Sequence, residues 1–288
     1  MSKLLIGSHL PMSAPEYLTK TVDLCLKNKE NCFMFYLGAP QNTHRVATKY
    51  LNIEQCKKEL INNDIDINNV VIHLAYIINA ASGDKVKRDF ARDFIKKEIA
   101  GAYECGITKV VLHPGNAVGI SKEEAIANCI DTINKVNEFN KGVTICIETM
   151  SGKGTEICAN FKEIKQVIDG VKNKKLIGVC FDTCHVWDSG YDLSDVDQVF
   201  NEFDKEVGLE WIKIIHLNDS ENIKGSKKDR HANIGYGKIG FDNLINVAYY
   251  KPLENVPKIL ETPMADNWAS YGKEIECIKN KKFVDWIK

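Results

Sequence analysis

No run of apolar residues in this chain is long enough for a helix to cross a bilayer, which takes roughly 20 of them. The opening residues, MSKLLIGSHLPM, carry neither a long apolar segment nor a cleavage site, so no secretory leader is expected. No CxxC pair occurs among the 10 cysteines, and most of them (Cys25, Cys105, Cys129, Cys146, Cys180) sit inside apolar patterns. That argues against a disulfide framework and for buried thiols in a reduced, cytoplasmic protein. Neither sign of charge is in excess, with 38 Lys and Arg against 39 Asp and Glu. Any anionic partner must therefore be held by a local patch or by bound cations. No GxGxxG follows an early strand-like run, which counts against a dinucleotide fold. No linker or low-complexity tract interrupts residues 1–288, so one domain is expected.

What is present is a repeating alternation. Apolar, β-like runs recur about every 35 residues: Leu4 to Ser8, Cys32 to Leu37, Val70 to His73, Lys109 to His113, Thr144 to Glu148, Ile177 to Asp182, Ile212 to His216 and Lys258 to Glu261. Helical patterns fill the gaps. Residues Lys85 to Tyr103 place Val86, Phe90, Phe94, Ile95, Ile99 and Ala102 at 3–4 spacing. Ser121 with Glu124 forms a capping box before Ile126, Ile130, Ile133 and Val136. Ser194 offers an N-cap ahead of Val196, Val199, Phe200 and Phe203. Strands alternating with helices pair in parallel through right-handed crossovers. Eight such units predict an α/β fold, a TIM (β/α)8 barrel of eight parallel strands, and 288 residues suit its size.

The strand ends carry the chemistry. In GVCFDTCH, Gly178 to His185, a buried-strand pattern stops at Asp182, and His185 follows three residues later. The third run ends at His73, the fourth at His113, the fifth at Glu148, the seventh at His216 and the eighth at Glu261. The polar stretch after the seventh run closes on Asp229 and His231. Each has an ordinary alternative: Asp182 as a helix N-cap, a lone histidine as a satisfied polar end, Asp229 beside Arg230 as a surface ion pair. Independent ordinary roles would not put five histidines and four carboxylates on one predicted barrel mouth. Nine N/O donors exceed the needs of one four-coordinate ion and suit two or three, with histidine-rich shells favouring zinc or manganese. Clustered cations can clamp the oxygens of a phosphodiester and activate water for in-line displacement.

HLAYIINAA (His73 to Ala81), GVCFDTCH and IHLNDSENIKGSKKDRH (Ile215 to His231) resemble the three signatures of the endonuclease IV family. These are the zinc-dependent apurinic/apyrimidinic endonucleases of DNA base-excision repair. LHPG at 112–115, ETMSGKG at 148–154 and LETP at 260–263 also fit, so the resemblance spans nearly the whole chain. It implies a barrel with a three-zinc cluster at its C-terminal mouth. The implied activity is hydrolysis 5′ to an abasic site in duplex DNA, leaving a 3′-hydroxyl and a 5′-deoxyribose phosphate, with 3′-phosphodiesterase activity as an accompaniment.

Carried over residue by residue, the resemblance assigns His73, His113 and Glu148 to a first zinc. Glu148 bridges to a second, held by Asp182, His216 and Glu261, and the third falls to His185, Asp229 and His231. Manganese is the alternative ion in some sites. Glu261 orients or deprotonates the attacking water, and Glu148 joins it as a catalytic residue. Tyr76 and Ile77 belong to a loop that wedges into the duplex at the lesion; Gln41 and Arg230 are further candidate DNA contacts. No membrane or protein partner is implied, and a monomer is expected.

Two departures stand out. Glu221 occupies a position where the third signature usually carries lysine, although Lys224, Lys227, Lys228 and Arg230 follow. The loop GAPQNTHR lacks the arginine wedge of some members, leaving Gln41 or Arg45 to substitute. His9 and His44 are expected to be bystanders. The competing readings are a divalent-metal sugar isomerase or epimerase on a related barrel, and a catalytically dead DNA-damage-binding protein. Neither calls for the trio His185, Asp229 and His231 together with an intact remaining ligand set.

Overall fold

The structure, a computed structural model, describes residues 4–264 and 269–287. In chain order its elements are β1 (Ile6–His9), α1 (Leu18–Lys27), β2 (Cys32–Phe35), α2 (Ile53–Asn62), β3 (Val70–His73), α3 (Lys85–Cys105), β4 (Lys109–Leu112) and α4 (Lys122–Asn137). There follow β5 (Thr144–Glu148), α5 (Phe161–Gly170), β6 (Ile177–Asp182), α6 (Thr183–Ser189), α7 (Val196–Glu206), β7 (Ile212–His216), β8 (Asp219–Ser220) and β9 (His231–Ala232). The last are α8 (Phe241–Ala248), β10 (Lys258–Leu260) and α9 (Ala269–Asn280).

Eight strands close into a barrel in the order β1-β10-β7-β6-β5-β4-β3-β2, as expected of a (β/α)8 fold. Every neighbouring pair is parallel. β8 and β9 form a separate antiparallel ribbon beyond β7. Ten cysteines are free and buried. No helix among the described residues is long and apolar enough to cross a membrane.

Strand geometry explains how the barrel serves its mouth. Side chains two residues apart share a face. Cys32, Met34, Val71, Val111, Cys146, Cys180, Ile214 and Ile259 form an apolar cluster of their own, distinct from the larger core between barrel and helices. Two residues further on from the last six stand His73, His113, Glu148, Asp182, His216 and Glu261. Each strand thus sets an apolar side chain in the barrel's floor and a polar one directly above it. β1 has Gly7 in that register, because a Cβ there would lie 1.7 Å from the Cys32 carbonyl oxygen. His9 follows it at the rim.

The helices depart from the sequence reading in detail. α3 buries Phe94, Ile95, Ile99 and Ala102, but Val86 and Phe90 lie on the surface. Each four-residue step advances the helix by about 40° beyond a full turn, so 86, 90 and 94 drift around the axis rather than sharing a stripe. Ser121 caps α4 by accepting from the Glu124 amide. The cap of α7 is Asp195, one residue later than expected, and accepts from Gln198 N. The Ser194 hydroxyl instead donates to Asp192.

Candidate metal centre

Glu148, at the end of β5, is the hub of the mouth. Its Oε2 lies 3.2 Å from His73 Nε2 and 3.0 Å from His113 Nε2. Its Oε1 lies 3.1 Å from His216 Nδ1 and 3.3 Å from His185 Nδ1. His216 Nδ1 also faces Glu261 Oε2 at 2.9 Å and Asp182 Oδ2 at 3.6 Å. At the outer side, Asp229 Oδ1 is 3.0 Å from His185 Nε2 and 3.7 Å from His231 Nε2. All nine side chains expected at the mouth therefore meet there. His73, Glu148, Asp182, His185 and His216 are buried, while His113, Asp229, His231 and Glu261 retain some exposure.

Ionisation in this nest follows from burial and mutual pairing. Burial works to raise the Glu148 carboxyl, but the charges of His113 and His216 outweigh it and hold it well below the usual range. Burial is likewise overcome at Glu261 by His216 and His9, and at Asp229, held at about 2, by its bond with His185. His185 and His216 are driven upward despite burial, His185 mainly by Asp182 and His216 by Cys180 and Glu261. His73 moves the other way because burial dominates. Glu148, Glu261 and Asp229 are thereby favoured in their anionic form, and acceptor-rich space between them invites cations.

The donor set fits metal ions. Three groups have ligand atoms all within 4.8 Å of one another: His73, His113 and Glu148; Glu148, Asp182, His216 and Glu261; and Asp182, His185 and His231. In the third, Asp182 joins His185 and His231, and Asp229 Oδ1 faces the same two imidazoles at 3.0 and 3.7 Å. β6 runs directly into α6, which brings Asp182 and His185 within one helical turn. Three imidazoles spend Nδ1 on main-chain carbonyls: His73 on Leu74 at 2.7 Å, His185 on Thr149 at 2.9 Å, and His231 on Glu261 at 3.1 Å. Such bonds fix the tautomer and leave Nε2 as the lone-pair donor. His231 Nε2 is buried with no hydrogen-bond partner among the described residues, an orphan that a cation would satisfy.

A further ring of side chains, which the sequence pattern did not single out, orients these donors. Asn218 donates from Nδ2 to Asp182 Oδ2 at 2.8 Å and accepts from the Glu261 amide at 2.7 Å. Asp182 Oδ1 accepts from the His185 amide at 2.8 Å, so Asp182 is both a helix cap and a member of the centre. Asp188 accepts from the Asp229 amide at 2.8 Å. His9 is no bystander: its Nδ1 stands 2.8 Å from Glu261 Oε1. The only sequence signal for it was its place at a strand end.

Tyr76 and Ile77 are 47% and 40% exposed, so neither is a buried anchor of its loop. Gln41, His44, Glu221 and Arg230 are also exposed. Arg45 cannot serve as a wedge. Its guanidinium donates to Glu98 at 2.6 and 3.3 Å and to the carbonyls of Asn42 and His44, and it lies over the Phe94 ring. It is the staple that holds its loop to α3.

A cavity of about 480 Å³ opens over the centre, walled by His9, Tyr36, Pro40, Met264 and Tyr271 beside the polar cluster. Fold and site together define a TIM-barrel protein whose C-terminal mouth carries three groups of side chains able to hold metal ions. A family profile described as xylose isomerase-like TIM barrel matches residues 22–281. The probable endonuclease 4 of Ureaplasma urealyticum is 43% identical over 98% of this chain and 95% of its own length. That of Bacillus subtilis is 42% identical over 99% of this chain and 97% of its own. The chain belongs to the endonuclease IV family, and so to the hydrolases. A crystal structure of endonuclease IV from Thermus thermophilus shares the fold, with a TM-score of 0.83 at 23% identity, covering 96% of this chain and 99% of its own. A D-tagatose 3-epimerase-like protein shares it more loosely, at 0.69 and 20% identity over 96% and 98%.

Proposed function

We propose that this chain is a DNA-repair endonuclease that cleaves the phosphodiester 5′ to an abasic site in duplex DNA. It would leave a 3′-hydroxyl and a 5′-deoxyribose phosphate, with 3′-phosphodiesterase activity at blocked ends. The observation that carries this reading is the meeting of five imidazoles and four carboxylates at one mouth, with Glu148 at its hub. We take the three donor groups to hold three zinc ions, with manganese admissible in some of them. Bound there, the ions would polarise the phosphodiester and neutralise charge on the attacking and leaving oxygens.

The protein's own groups do the rest. Glu261, ionised and held by His216 and His9, is placed to orient water and accept its proton. Glu148 joins the first two donor groups and fixes their spacing. Tyr76 and Ile77 offer apolar surface that can replace lost stacking at the lesion while the abasic nucleotide occupies the cavity. Gln41 and Arg230 lie exposed for backbone contacts. A single-domain monomer in the cytoplasm is consistent with this work.

Sugar epimerisation is the second reading, favoured by the shared barrel with epimerase-like proteins. The outer group of His185, Asp229 and His231 weighs against it. Incubation with a duplex carrying one tetrahydrofuran site, in parallel with ketohexoses, separates the two. A single nick on the 5′ side supports the proposal; epimerised sugar with intact DNA rejects it.

A further inference from the structure

Between β8 and β9 the chain makes an excursion over residues 221–230 that carries Lys224, Lys227, Lys228 and Arg230 and delivers Asp229 and His231 to the mouth. Its return limb is held in an unfavourable conformation. Lys227 and Asp229 both lie in the left-handed region, at φ 56° and 57°. Side chains with a Cβ adopt it uncommonly, Asp more readily than Lys, and surrounding bonds here hold both residues in it.

The enforcing group is Asp188, in the last turn of α6 and fully buried. Its Oδ2 accepts from the Asp229 amide at 2.8 Å. Its Oδ1 accepts from the Ser220 hydroxyl at 2.7 Å, at the outward end of the excursion. Its main-chain carbonyl accepts from the Lys227 amide at 2.9 Å. One residue thus ties both ends of the segment to α6, the helix that also carries His185. Next to it, the Trp187 carbonyl accepts from the Gly225 amide at 3.0 Å, and the Trp187 indole donates to the Asn222 carbonyl at 2.9 Å. Among the described residues Asp188 makes no hydrogen bond to an imidazole of the mouth; its effect passes through the backbone of Asp229, whose Oδ1 meets His185 Nε2 at 3.0 Å.

We infer that Asp188 is the positioning residue for the outer donor group, setting Asp229 against His185 so that this group closes around an ion. The inference rests on the three-ion reading of the centre. Removing the carboxylate frees two donors and lets the strained limb relax. The outer ion then loses a correctly placed ligand, while the donor groups built on Glu148 keep theirs. Supporting groups of this kind typically contribute 10–100-fold in metal affinity.

The test uses the full chain loaded with zinc, as parent, Asp188→Asn and Asp188→Ala. Zinc affinities are read by competition with a graded series of chelators, and folding is checked by circular dichroism. In Asp188→Asn one amide oxygen must serve two donors, and the outer zinc is expected to bind about tenfold more weakly. In Asp188→Ala the loss is expected to approach about 100-fold, with the other two ions unchanged. On abasic duplex, KM and kcat would change together with occupancy of that one site and recover at saturating zinc. A folded variant that binds all three ions as tightly as the parent overturns the inference and leaves the proposed function standing. If Asp188→Ala does not fold, Asp188→Asn decides alone. A parent chain that saturates below three ions overturns both the inference and the reading beneath it.

Discussion

His9 and Glu261 are separated by 252 residues in sequence and by 2.8 Å in space, Nδ1 to Oε1. They meet because β1 and β10 are hydrogen-bonded neighbours where the barrel closes, with Ser8 in register with Leu260. One Glu261 oxygen is thereby committed to His9 and the other to His216. The His9 ring is itself packed against Tyr36, centroids 4.4 Å apart. His9→Ala should lower kcat by about 10–100-fold, the usual cost of removing an orienting partner, while KM and metal content hold. Steady-state kinetics with metal analysis check this; unchanged kcat would remove His9 from the machinery.

Glu261→Gln tests the role of the carboxylate directly. The amide keeps the size of the side chain but cannot accept a proton. Turnover should fall by at least about 100-fold, in line with the loss of a general base. Gel-shift binding to abasic duplex should survive. Cleavage at the parental rate would contradict the assignment.

Tyr76→Ala and Ile77→Ala separate binding from folding. Both side chains are substantially exposed, so stability should change by no more than about 0.5 kcal/mol. If they substitute for stacking at the lesion, Tyr76→Ala should weaken binding of abasic duplex by about 1–3 kcal/mol and Ile77→Ala by less, measured by fluorescence anisotropy. Undamaged duplex should be affected less. Equal losses on both would make them general contacts rather than a wedge.

Glu30 gives a pH prediction away from the metal centre. Burial raises its carboxyl from 4.5 to about 8, even though Ser8 and Asn28 donate to it. Because the folded value lies above the unfolded one, its contribution is fully present below about 4.5 and is lost as pH rises toward about 8. In that window the unfolded chain has released a proton that the folded chain still holds. The stability of the parent relative to Glu30→Gln, from urea unfolding, should therefore fall steadily from pH 5 to about pH 8. A flat or rising difference would mean that Glu30 is ionised in the fold.

The side chains of the mouth were legible because strand periodicity is local. Val71 before His73, Val111 before His113 and Cys146 before Glu148 repeat one apolar-then-polar step, and that step alone predicts which way each side chain faces. The groups that orient them were not legible. Asn218 reaches Asp182 across 36 residues and Glu261 across 43, and Asp188 reaches Asp229 across 41. In sequence these are polar residues in loops or on a short helix, indistinguishable from solvent-facing ones. The role of Arg45 stayed open in the sequence for the same reason, since its partner Glu98 lies 53 residues away on α3. The family resemblance supplied the division of donors into groups; that Asp182 also comes close to His185 and His231 was visible only in the fold.

The number of ions bound per chain tests the account most directly. Native mass spectrometry of the full chain, stripped with chelator and titrated with zinc, should give saturation at three ions, with abasic-duplex incision rising as the last site fills. Saturation at one or two ions, or full incision without any, would contradict it.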